Sequence, residues 1–282
     1  MNNSKKFFPV ALTIAGSDSG GGAGIQADLR TFSALGVFGT SAITALTAQN
    51  PSKVAGVMSV TPAFLIAQLE SVFSKFAVLS LKTGMLFDSK LISALSEFLG
   101  KKSLRTIVVD PVMVSTSGAI LLKKNAVADI RNKIFPLADW ITPNREEAEL
   151  ILGIKIRNVD DAIEAAKKIS GEWNCCCVLK GGHLNSARGR KVDVAVLKDG
   201  IFLISAANVD VSGNASHGTG CTFSAALTAN FAKGLPPVDA LVSAREFVHA
   251  SLLEKVSIGK NINAMFPPRK KHIGEVKICE IH

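Results

Sequence analysis

Strand-like and helix-like segments alternate along this chain, and that alternation constrains its fold more than any other feature. Strand-like runs rich in apolar residues occupy residues 10–15, 78–83 and 106–110. Apolar residues recur at helical spacing between them, at 61–76 and 88–99. Strands that alternate with helices form a mostly parallel sheet, and the helices bury their apolar sides against its faces. The sequence therefore predicts an α/β protein with three layers, in which helices cover both faces of the central sheet.

The other predicted elements complete this alternation. Lys198-Asp199-Gly200 joins the apolar runs 192–197 and 201–205, and an Asp-Gly pair there is typical of a β-hairpin. No linker and no internal repeat interrupts the chain, so we expect one domain over 1–282, with a tail at 257–282 that shows no clear period. Thr61 and Asp88 are predicted helix N-caps. We further expect strands at 38–46, 139–142 and 175–180, and helices at 25–35, 123–135, 144–152, 159–169, 221–232 and 237–255.

The positive charge of the chain is spread rather than concentrated. Of its 282 residues 48% are hydrophobic and 20% are charged, which is typical of a globular protein. The formal net charge is +9, but the only dense basic groups are at 188–191 and 269–271. A nucleic-acid binder concentrates such residues in one patch or stripe. We therefore expect no nucleic-acid partner.

The cysteines and the N-terminal region indicate a reducing compartment. Residues 175–177 are three consecutive cysteines, which suits neither a zinc site nor a disulfide framework, so we predict small core residues. Lys5-Lys6 before an apolar run resembles a signal peptide, but a buried first strand explains that run better. The segment 31–52 has no charged residue, yet glycines, Gln49, Asn50 and Pro51 interrupt it. We expect a cytoplasmic protein with no membrane partner.

The stretch His217-Gly-Thr-Gly-Cys-Thr222 is the strongest single indication of a binding site. Its glycines allow a tight turn and a close approach to a ligand, and a helix-like run follows directly. The free N–H groups at a helix N-terminus bind anions, with help from the helix dipole. Cys221 falls in the first turn, where a thiol is most easily deprotonated. The alternative is an ordinary glycine turn before a buried helix.

A second glycine-rich stretch, at 16–24, follows the first predicted strand. Neither familiar nucleotide motif fits it. A dinucleotide fingerprint starting at Gly22 lies too far from the strand, and the acidic residue expected about 20 positions later is absent. The phosphate-binding loop with its Gly-Lys-Ser/Thr ending occurs nowhere in the chain. Any nucleotide must therefore be bound by another scheme.

Four further motifs stand where predicted strands end, which is the edge at which ligands bind in open α/β sheets. Thr142-Pro-Asn-Arg-Glu-Glu147 follows a strand and opens a helix, although an ordinary N-cap with acidic first-turn residues explains it equally well. No His, Cys and Asp cluster has metal-ligand spacing, so we expect His183 and His217 to be structural or loop-orienting residues rather than metal ligands. The other three motifs are Lys82-Thr-Gly-Met85, Asp110-Pro-Val-Met113 and Lys180-Gly-Gly-His183.

Taken together, these motifs resemble the hydroxymethylpyrimidine/phosphomethylpyrimidine kinase family of thiamine biosynthesis. The resemblance rests on Ala11–Asp28, Thr44–Asn50, the four strand-end motifs and 217–222, and it runs in order from about residue 10 to 256. Other sugar kinases of the ribokinase-like superfamily usually carry Asp where this chain has Cys221. The resemblance implies a ribokinase-like fold and ATP-dependent phosphorylation of 4-amino-5-hydroxymethyl-2-methylpyrimidine to its monophosphate and then to the diphosphate. It also implies a homodimer.

The resemblance assigns a role to each site residue. The substrate pocket would be lined by Gly16, Ala23, Asp28, Gln49, Met85 and Val112, with Asp28 and the Gln49 amide satisfying the amino group and ring nitrogens. The alternative for Gln49 is a hydrogen bond that closes the loop. Asp110 and Glu147, with Asn144, would hold Mg²⁺, partly through water.

The remaining implied roles concern phosphoryl transfer. Lys180 would meet the ATP phosphates, and the amides of Gly218, Thr219, Gly220 and Cys221 would cradle the transferring group. Cys221 would be the general base for the first transfer, onto the alcohol. The second transfer needs no base, because its phosphate acceptor is already anionic.

Three questions follow: what the departures from the family pattern mean, which rival function applies, and whether one segment closes over the site. The tail from Gly259 is at best loosely similar to the family pattern, and Thr47 stands where an aliphatic pocket residue is expected. Pyridoxal kinase activity, alone or in addition, is the rival enzymatic function, and a non-catalytic anion or nucleic-acid binder is the rival from another class. Whether the segment 115–122 closes over the site is open at this point.

Overall fold

One ten-stranded sheet carries most of the fold. The computed structural model describes residues 8–113, 122, 126–182, 184, 189–270 and 275–281. The sheet strands, in chain order, are β1 (Val10–Asp18), β2 (Phe38–Asn50), β3 (Lys53–Ser59), β4 (Val78–Thr83), β5 (Thr106–Val109), β6 (Trp140–Ile141), β7 (Cys176–Leu179), β8 (Lys191–Leu197), β9 (Gly200–Ala206) and, after a separate pair β10 (Val256–Gly259) and β11 (Ile262–Ala264), β12 (Val276–Ile281).

The centre of the sheet is parallel and its edges are antiparallel. The spatial order is β12-β9-β8-β7-β6-β5-β4-β1-β2-β3. The six strands from β7 to β2 pair in parallel, whereas β3 and the three strands beyond β7 pair antiparallel with their neighbours. The predicted hairpin is the β8–β9 pair, with Leu197 opposite Gly200. The mostly parallel sheet that the sequence predicted is thus confirmed.

Helices cover both faces of this sheet, which confirms the three-layer prediction. One apolar cluster joins the sheet to five helices, and clusters on the opposite face join it to three others. The first group is α2 (Pro62–Phe73), α3 (Ser89–Leu99), α4 (Ala126–Asp129), α5 (Arg145–Leu152) and α6 (Val159–Trp173), and the second is α1 (Gly24–Ala34), α7 (Thr219–Ala232) and α8 (Pro237–Leu253).

The predicted helix caps are present, and they fix where the helices begin. The Thr61 hydroxyl accepts a hydrogen bond from the Phe64 amide, and Pro62 occupies the first helical position. The Asp88 carboxylate accepts from two amides of the first turn of α3. At the C-terminal end of α6, Asn174 adopts a left-handed conformation with φ 49°, which stops the helix after Trp173.

The structure differs from the sequence-based elements in three places. β2 continues to Asn50 and pairs with the unpredicted strand β3, forming a ribbon that extends beyond the strand predicted at 38–46. The helix predicted at 123–135 contains only α4 before a π-helical turn and a 3₁₀ turn, and Pro136 in the latter cannot continue an α-helix. The tail contains three short strands, of which β12 completes the sheet edge beside β9.

The segment at 31–52 contains the end of α1 and all of β2, as expected from its interrupted composition. Within the described part of the chain, we find no helix whose length and hydropathy would let it cross a membrane.

The three consecutive cysteines are core residues, as predicted. Cys175 and Cys177 pack in the cluster on one face of the sheet, and Cys176 packs in the cluster on the other. This arrangement follows from the alternation of side chains along β7. Burial raises the pKa of the Cys177 thiol well above its ordinary value, so this thiol stays protonated.

Replacing Cys177 with serine tests this core assignment. The Cys177→Ser hydroxyl would be buried among apolar side chains, so we expect the free energy of unfolding to fall by about 1–3 kcal/mol. The matched control is Cys279→Ser on the exposed strand β12, which should change stability by less than about 0.5 kcal/mol. Urea unfolding of both variants measures the difference, and equal stabilities would contradict the assignment.

Candidate active site

The strand-end motifs meet at one edge of the sheet. β1, β4, β5, β6 and β7 are parallel, so their carboxyl ends lie side by side. Asp18 and Thr83 end the first two strands, and Asp110, Thr142 and Lys180 directly follow the other three. A site at this edge is therefore built from segments that are far apart in the sequence.

A cavity of about 530 Å³ opens at this edge, and every predicted site residue except Asp28 lines it. Residues 115–121 and His183 lie outside the described part of the chain. The cavity-lining residues predicted around the pyrimidine are Gly16, Ala23, Gln49, Met85 and Val112, and those predicted around ATP and Mg²⁺ are Asp110, Asn144, Glu147, Lys180, Gly218, Thr219, Gly220 and Cys221.

Asp110 is the hub of the polar contacts in the cavity wall. Its Oδ1 lies 2.7 Å from Lys180 Nζ, and its Oδ2 accepts a 3.0 Å hydrogen bond from the Ser224 hydroxyl. Burial would raise the pKa of Asp110, but Lys180 and Lys82 hold it below its ordinary value. The carboxylate therefore ties β5, β7 and α7 together while staying ionised.

Lys180 lies between Asp110 and the first turn of α7. A side chain at Gly220 would come within 3.3 Å of Lys180 Nζ, so the ammonium group faces the helix N-terminus. The same end of α7 carries the N–H groups of the predicted anion-binding cup. An anion at this point would meet the helix dipole and a fixed positive charge together.

Glu147 is the second buried carboxylate of the wall. Its Oε2 accepts a 2.8 Å hydrogen bond from the Asn144 amide, and the Asn144 side chain caps α5 in return. Burial and the nearby charge of Asp110 raise the pKa of Glu147 to about 7, against the opposing effect of Lys180. A cation bound nearby would therefore stabilise the ionised form of this carboxylate.

The carboxylates of Asp110 and Glu147 are suited to a Mg²⁺ ion that is bound together with a phosphate group. Over the described residues, no group of three His, Cys, Asp or Glu side chains could hold a metal alone. Mg²⁺ differs from such cage-bound metals because it is usually held by one or two carboxylates plus substrate phosphates and water. Asp110 and Glu147 line the same cavity and supply that number.

Asp28 lies behind the cavity wall, so the prediction that it lines the substrate pocket is wrong. Its Oδ1 lies 2.8 Å from Lys82 Nζ and its Oδ2 accepts a 2.6 Å hydrogen bond from Thr13, and neither charged side chain is exposed. Burial works against the positive charge, yet Asp28 raises the pKa of Lys82 above its ordinary value. Asp28 thus serves as the counterion of Lys82, which does line the cavity.

Cys221 lies in the first turn of α7 and lines the cavity, as predicted. The expectation of an easily deprotonated thiol is wrong for the free protein. Burial raises the pKa of Cys221 to about 11, and Asp28 and Asp110 add to the rise. Lys82 and the Gly24 amide oppose it without overcoming it. Desolvation therefore outweighs the helix N-terminus at this position.

The two glycine-rich loops contact each other across the cavity. His217 Nε2 lies 3.0 Å from Asp18 Oδ2. Gly218 has φ 83°, and a side chain there would clash with the Gly22 carbonyl. The backbone of Gln49 closes the first loop by exchanging hydrogen bonds with the Ser19 hydroxyl, so the loop-closing role belongs to its backbone.

Sequence reasoning missed several residues that line the cavity. Asp193 Oδ2 lies 2.9 Å from Arg245 Nε, and its Oδ1 accepts a hydrogen bond from the Gly181 amide. No local pattern indicates this pair, because its members are 52 positions apart, on β8 and α8. Apolar lining residues from 207 onward were missed too, since they resemble ordinary core positions: Ala207, Val209, Val211, Val248 and Leu252.

Comparison with known proteins agrees with this geometry. A family model described as phosphomethylpyrimidine kinase matches residues 18–265. The hydroxymethylpyrimidine/phosphomethylpyrimidine kinase of Haemophilus influenzae is 45% identical over 251 residues, which are 88% of this chain and 93% of that protein. A thiamine biosynthesis bifunctional protein of Geobacter sulfurreducens is 42% identical over 260 residues, covering 92% of this chain and 52% of that longer protein.

A solved structure shares the fold as well. The pyridoxal kinase of Bacillus subtilis, in an ADP complex, superposes with a TM-score of 0.84 at 36% identity, covering 93% of this chain and 98% of that one. The match of the family model over most of the chain, together with the high identity to a curated kinase, shows the family of this chain. The chain belongs to the phosphomethylpyrimidine kinase family and is a kinase.

Proposed function

We propose that this chain transfers the terminal phosphoryl group of ATP to the hydroxymethyl oxygen of 4-amino-5-hydroxymethyl-2-methylpyrimidine, and then to the monophosphate that results. These steps belong to thiamine biosynthesis. One observation carries the proposal: a single cavity is lined by both glycine-rich loops and by the Asp110–Lys180 pair. The names of the relatives at 42–45% identity support the same activity.

The pyrimidine is proposed to bind against the first loop and β2. Gly16 and Met85 are in close contact, because a side chain at Gly16 would come within 3.0 Å of the Met85 sulfur. Both residues line the cavity wall, and Ala23 and Val112 add apolar surface to it. The Gln49 amide can donate and accept hydrogen bonds, which suits an amino group and ring nitrogens. Thr47 adds a polar side chain to this wall, and its hydroxyl donates a hydrogen bond to the Ser17 carbonyl.

The phosphates of ATP are proposed to bind at the N-terminus of α7. Lys180 supplies a fixed charge beside Gly220, and the amides of Gly218, Gly220 and Cys221 would point their N–H groups at the transferring group. The Thr219 amide, predicted as a fourth donor, instead donates to the Ser216 carbonyl at 3.2 Å. Phosphoryl transfer depends mainly on positioning and on charge stabilisation. The fixed charge and the amides support those two requirements.

We propose that Asp110 and Glu147 hold Mg²⁺, with Asn144 beside them. The ion, when bound, would neutralise charge on the phosphates. Glu147 would then be ionised, because a cation at that point offsets the burial and the repulsion from Asp110 that raise its pKa to about 7.

Cys221 is proposed to take the proton of the alcohol in the first transfer. Its thiol is protonated at neutral pH, because burial raises its pKa to about 11. The transition state of phosphoryl transfer is loose, so the oxygen need not lose its proton early. The group that accepts the proton is therefore the small thiolate fraction of Cys221, which the charge of Lys82 stabilises, and the thiol is re-formed as the alcohol oxygen is phosphorylated. The anionic monophosphate needs no base.

Pyridoxal is a second candidate substrate. The observation that favours it is the TM-score of 0.84 with the pyridoxal kinase of Bacillus subtilis at 36% identity. A pyridine that carries a hydroxymethyl group would make similar contacts in the same cavity. The pyrimidine remains the first proposal because the relatives at higher sequence identity are named for it.

An ADP-release assay with three acceptors tests the proposed function. We expect turnover with the pyrimidine alcohol and with its monophosphate, and slower turnover with pyridoxal at equal concentration. Turnover of pyridoxal alone would replace the first proposal by the second. Release of ADP with none of the three would reject both.

Replacing Cys221 separates the two transfers. In Cys221→Ala we expect the single-turnover rate of the first transfer to fall about 100-fold or more, because a general base contributes about 10²–10⁴-fold. The second transfer should stay within about threefold, since its acceptor needs no base. Cys279→Ala, on the exposed β12, is the matched control. Equal slowing of both transfers would mean that Cys221 acts by position alone.

The pH dependence of these two rates provides a second readout of the same prediction. Cys221 acts in its deprotonated form and its pKa is about 11, so the ratio of the first rate to the second should rise about tenfold per pH unit between about pH 7 and 9. Taking the ratio cancels the ionisation of Glu147, which both transfers share. The ratio should not vary with pH in Cys221→Ala, and a flat ratio in the unaltered protein would exclude Cys221 as the base.

Replacing Glu147 tests the proposed metal site. Glu147→Gln keeps an acceptor for the Asn144 amide, so α5 stays capped, but we expect the Mg²⁺ concentration for half-maximal activity to rise at least about tenfold. A carboxyl group with a raised folded-state pKa loses stabilisation as pH rises from about 4.5 to 7. The variant lacks that loss and should be more stable at pH 8, by up to about 3 kcal/mol.

Glu164→Gln on α6 removes the same charge from an exposed position and serves as the control. Magnesium titrations and thermal unfolding at pH 5 and pH 8 measure both effects. An unchanged magnesium requirement in Glu147→Gln would contradict a role for Glu147 in holding the ion.

A further inference from the structure

A hydrogen bond joins two loops that are almost 200 residues apart in the sequence. His217 Nε2 lies 3.0 Å from Asp18 Oδ2, and the two side chains are only 11% and 4% exposed. Asp18 is the last residue of β1, where the first glycine-rich loop begins its turn, and His217 directly precedes Gly218 at the N-terminus of α7. We call this contact the loop clasp.

Asp18 also shapes its own loop. Its Oδ1 accepts from the Gly20 amide at 2.8 Å, and its Oδ2 accepts from the Gly22 and Ala23 amides at 3.1 and 2.9 Å. Burial would raise the pKa of Asp18, but these bonds and the bond to His217 hold it below its ordinary value. The carboxylate is thus an ionised anchor at which the first loop and His217 converge.

The backbone around the clasp leaves no room for the two loops to shift towards each other. A side chain at Gly22 would overlap the His217 ring, and one at Gly218 would overlap the Gly22 carbonyl. The Gly24 amide, in the first loop, also lowers the pKa of the Cys221 thiol against the larger effect of burial. The clasp therefore lies between the loop that is proposed to hold the acceptor and the helix N-terminus that is proposed to receive the phosphoryl group.

The clasp is not needed to hold the flanking elements in the fold. Two hydrogen bonds further along α7 anchor this helix. The Ser224 hydroxyl donates to Asp110, and the Thr228 carbonyl accepts from Ser80. β1 is held in the sheet by pairing with both β2 and β4. Breaking the clasp should therefore change the spacing of the loops without unfolding the chain.

We propose that His217 is a positioning residue for phosphoryl transfer: its hydrogen bond to Asp18 fixes the distance between the loop that holds the acceptor and the loop that receives the phosphoryl group. This inference rests on the proposed function of the cavity. A reacting pair is productive only when its atoms are held about 3–3.5 Å apart, and a shift of about 1 Å can cost about 100-fold in rate. Each loop can still bind its own ligand when the clasp is broken.

Two substitutions at His217 give opposite results on this basis. His217→Leu removes the donor, and we expect kcat for the pyrimidine alcohol to fall about 10- to 100-fold while KM for the alcohol and for ATP stays within about threefold. The terminal amide of His217→Gln stands where Nε2 was and can donate to Asp18, so it should recover kcat to within about fivefold. A loss that appears mainly in KM, or that glutamine does not recover, would overturn the proposal.

A double-mutant cycle shows whether the two loops act through the clasp. Asp18→Asn should lower kcat in the unaltered protein by a larger factor than in His217→Leu, where only the bonds of Asp18 to its own loop remain to be disturbed. Effects that simply multiply would contradict the clasp. Arg30→Met is the control, since it removes a 2.9 Å bond to the Gly21 carbonyl from outside the cavity and should leave kcat within about twofold.

Alkylation of Cys221 separates a failure of the clasp from a failure of the proposed function. With no substrate present, iodoacetamide should modify Cys221 several-fold faster in His217→Leu than in His217→Gln or the unaltered protein, as measured by mass spectrometry of its peptide. Equal rates in all three would overturn the clasp. The same pattern in a protein that releases no ADP with the pyrimidine would support the clasp and reject the proposed function.

Discussion

The ion pair between Asp110 and Lys180 is the interaction on which the site depends. It joins the ends of β5 and β7, and Ser224 extends it to α7, so three elements that approach from different parts of the chain share one carboxylate. Because parallel strands end at the same edge, residues separated by more than 100 positions meet within hydrogen-bonding distance. The sheet supplies the edge, and this pair sets the position of the helix N-terminus relative to it.

Charge balance around the cavity explains the behaviour of its titrating groups. Lys82 and Lys180 face the carboxylates Asp28, Asp110 and Glu147, and all five are buried or nearly so. Removal from water penalises each charge, and only close pairing restores it. Lys180 and Lys82 keep the pKa of Asp110 below its ordinary value, whereas burial raises the pKa of Asp28 in spite of Lys82. Burial likewise raises the pKa values of Glu147 and Cys221. Both groups would respond to the arrival of a charged ligand.

Sequence alone predicted the fold and most of the cavity, because those features depend on local patterns. Strand runs, the caps at Thr61 and Asp88, and the glycine loops are each recognisable within a few residues. The position of Asp28 was not, because whether a carboxylate faces a cavity or a buried lysine depends on β4, more than 50 positions away. The prediction of an easily deprotonated Cys221 thiol was wrong for the same reason, since burial is a property of the whole fold. β12 lacked any periodicity that would indicate a strand.

The ribbon formed by β2 and β3 has an evolutionary consequence. Thr47 and Gln49 line the cavity from β2, while β3 beside them is mostly open to solvent and packs little of its surface into the main core. Mutations in this ribbon can therefore reshape this side of the cavity at little thermodynamic cost to the rest of the protein. Such a margin offers a physical route by which one ancestral scaffold could diverge towards different vitamin precursors.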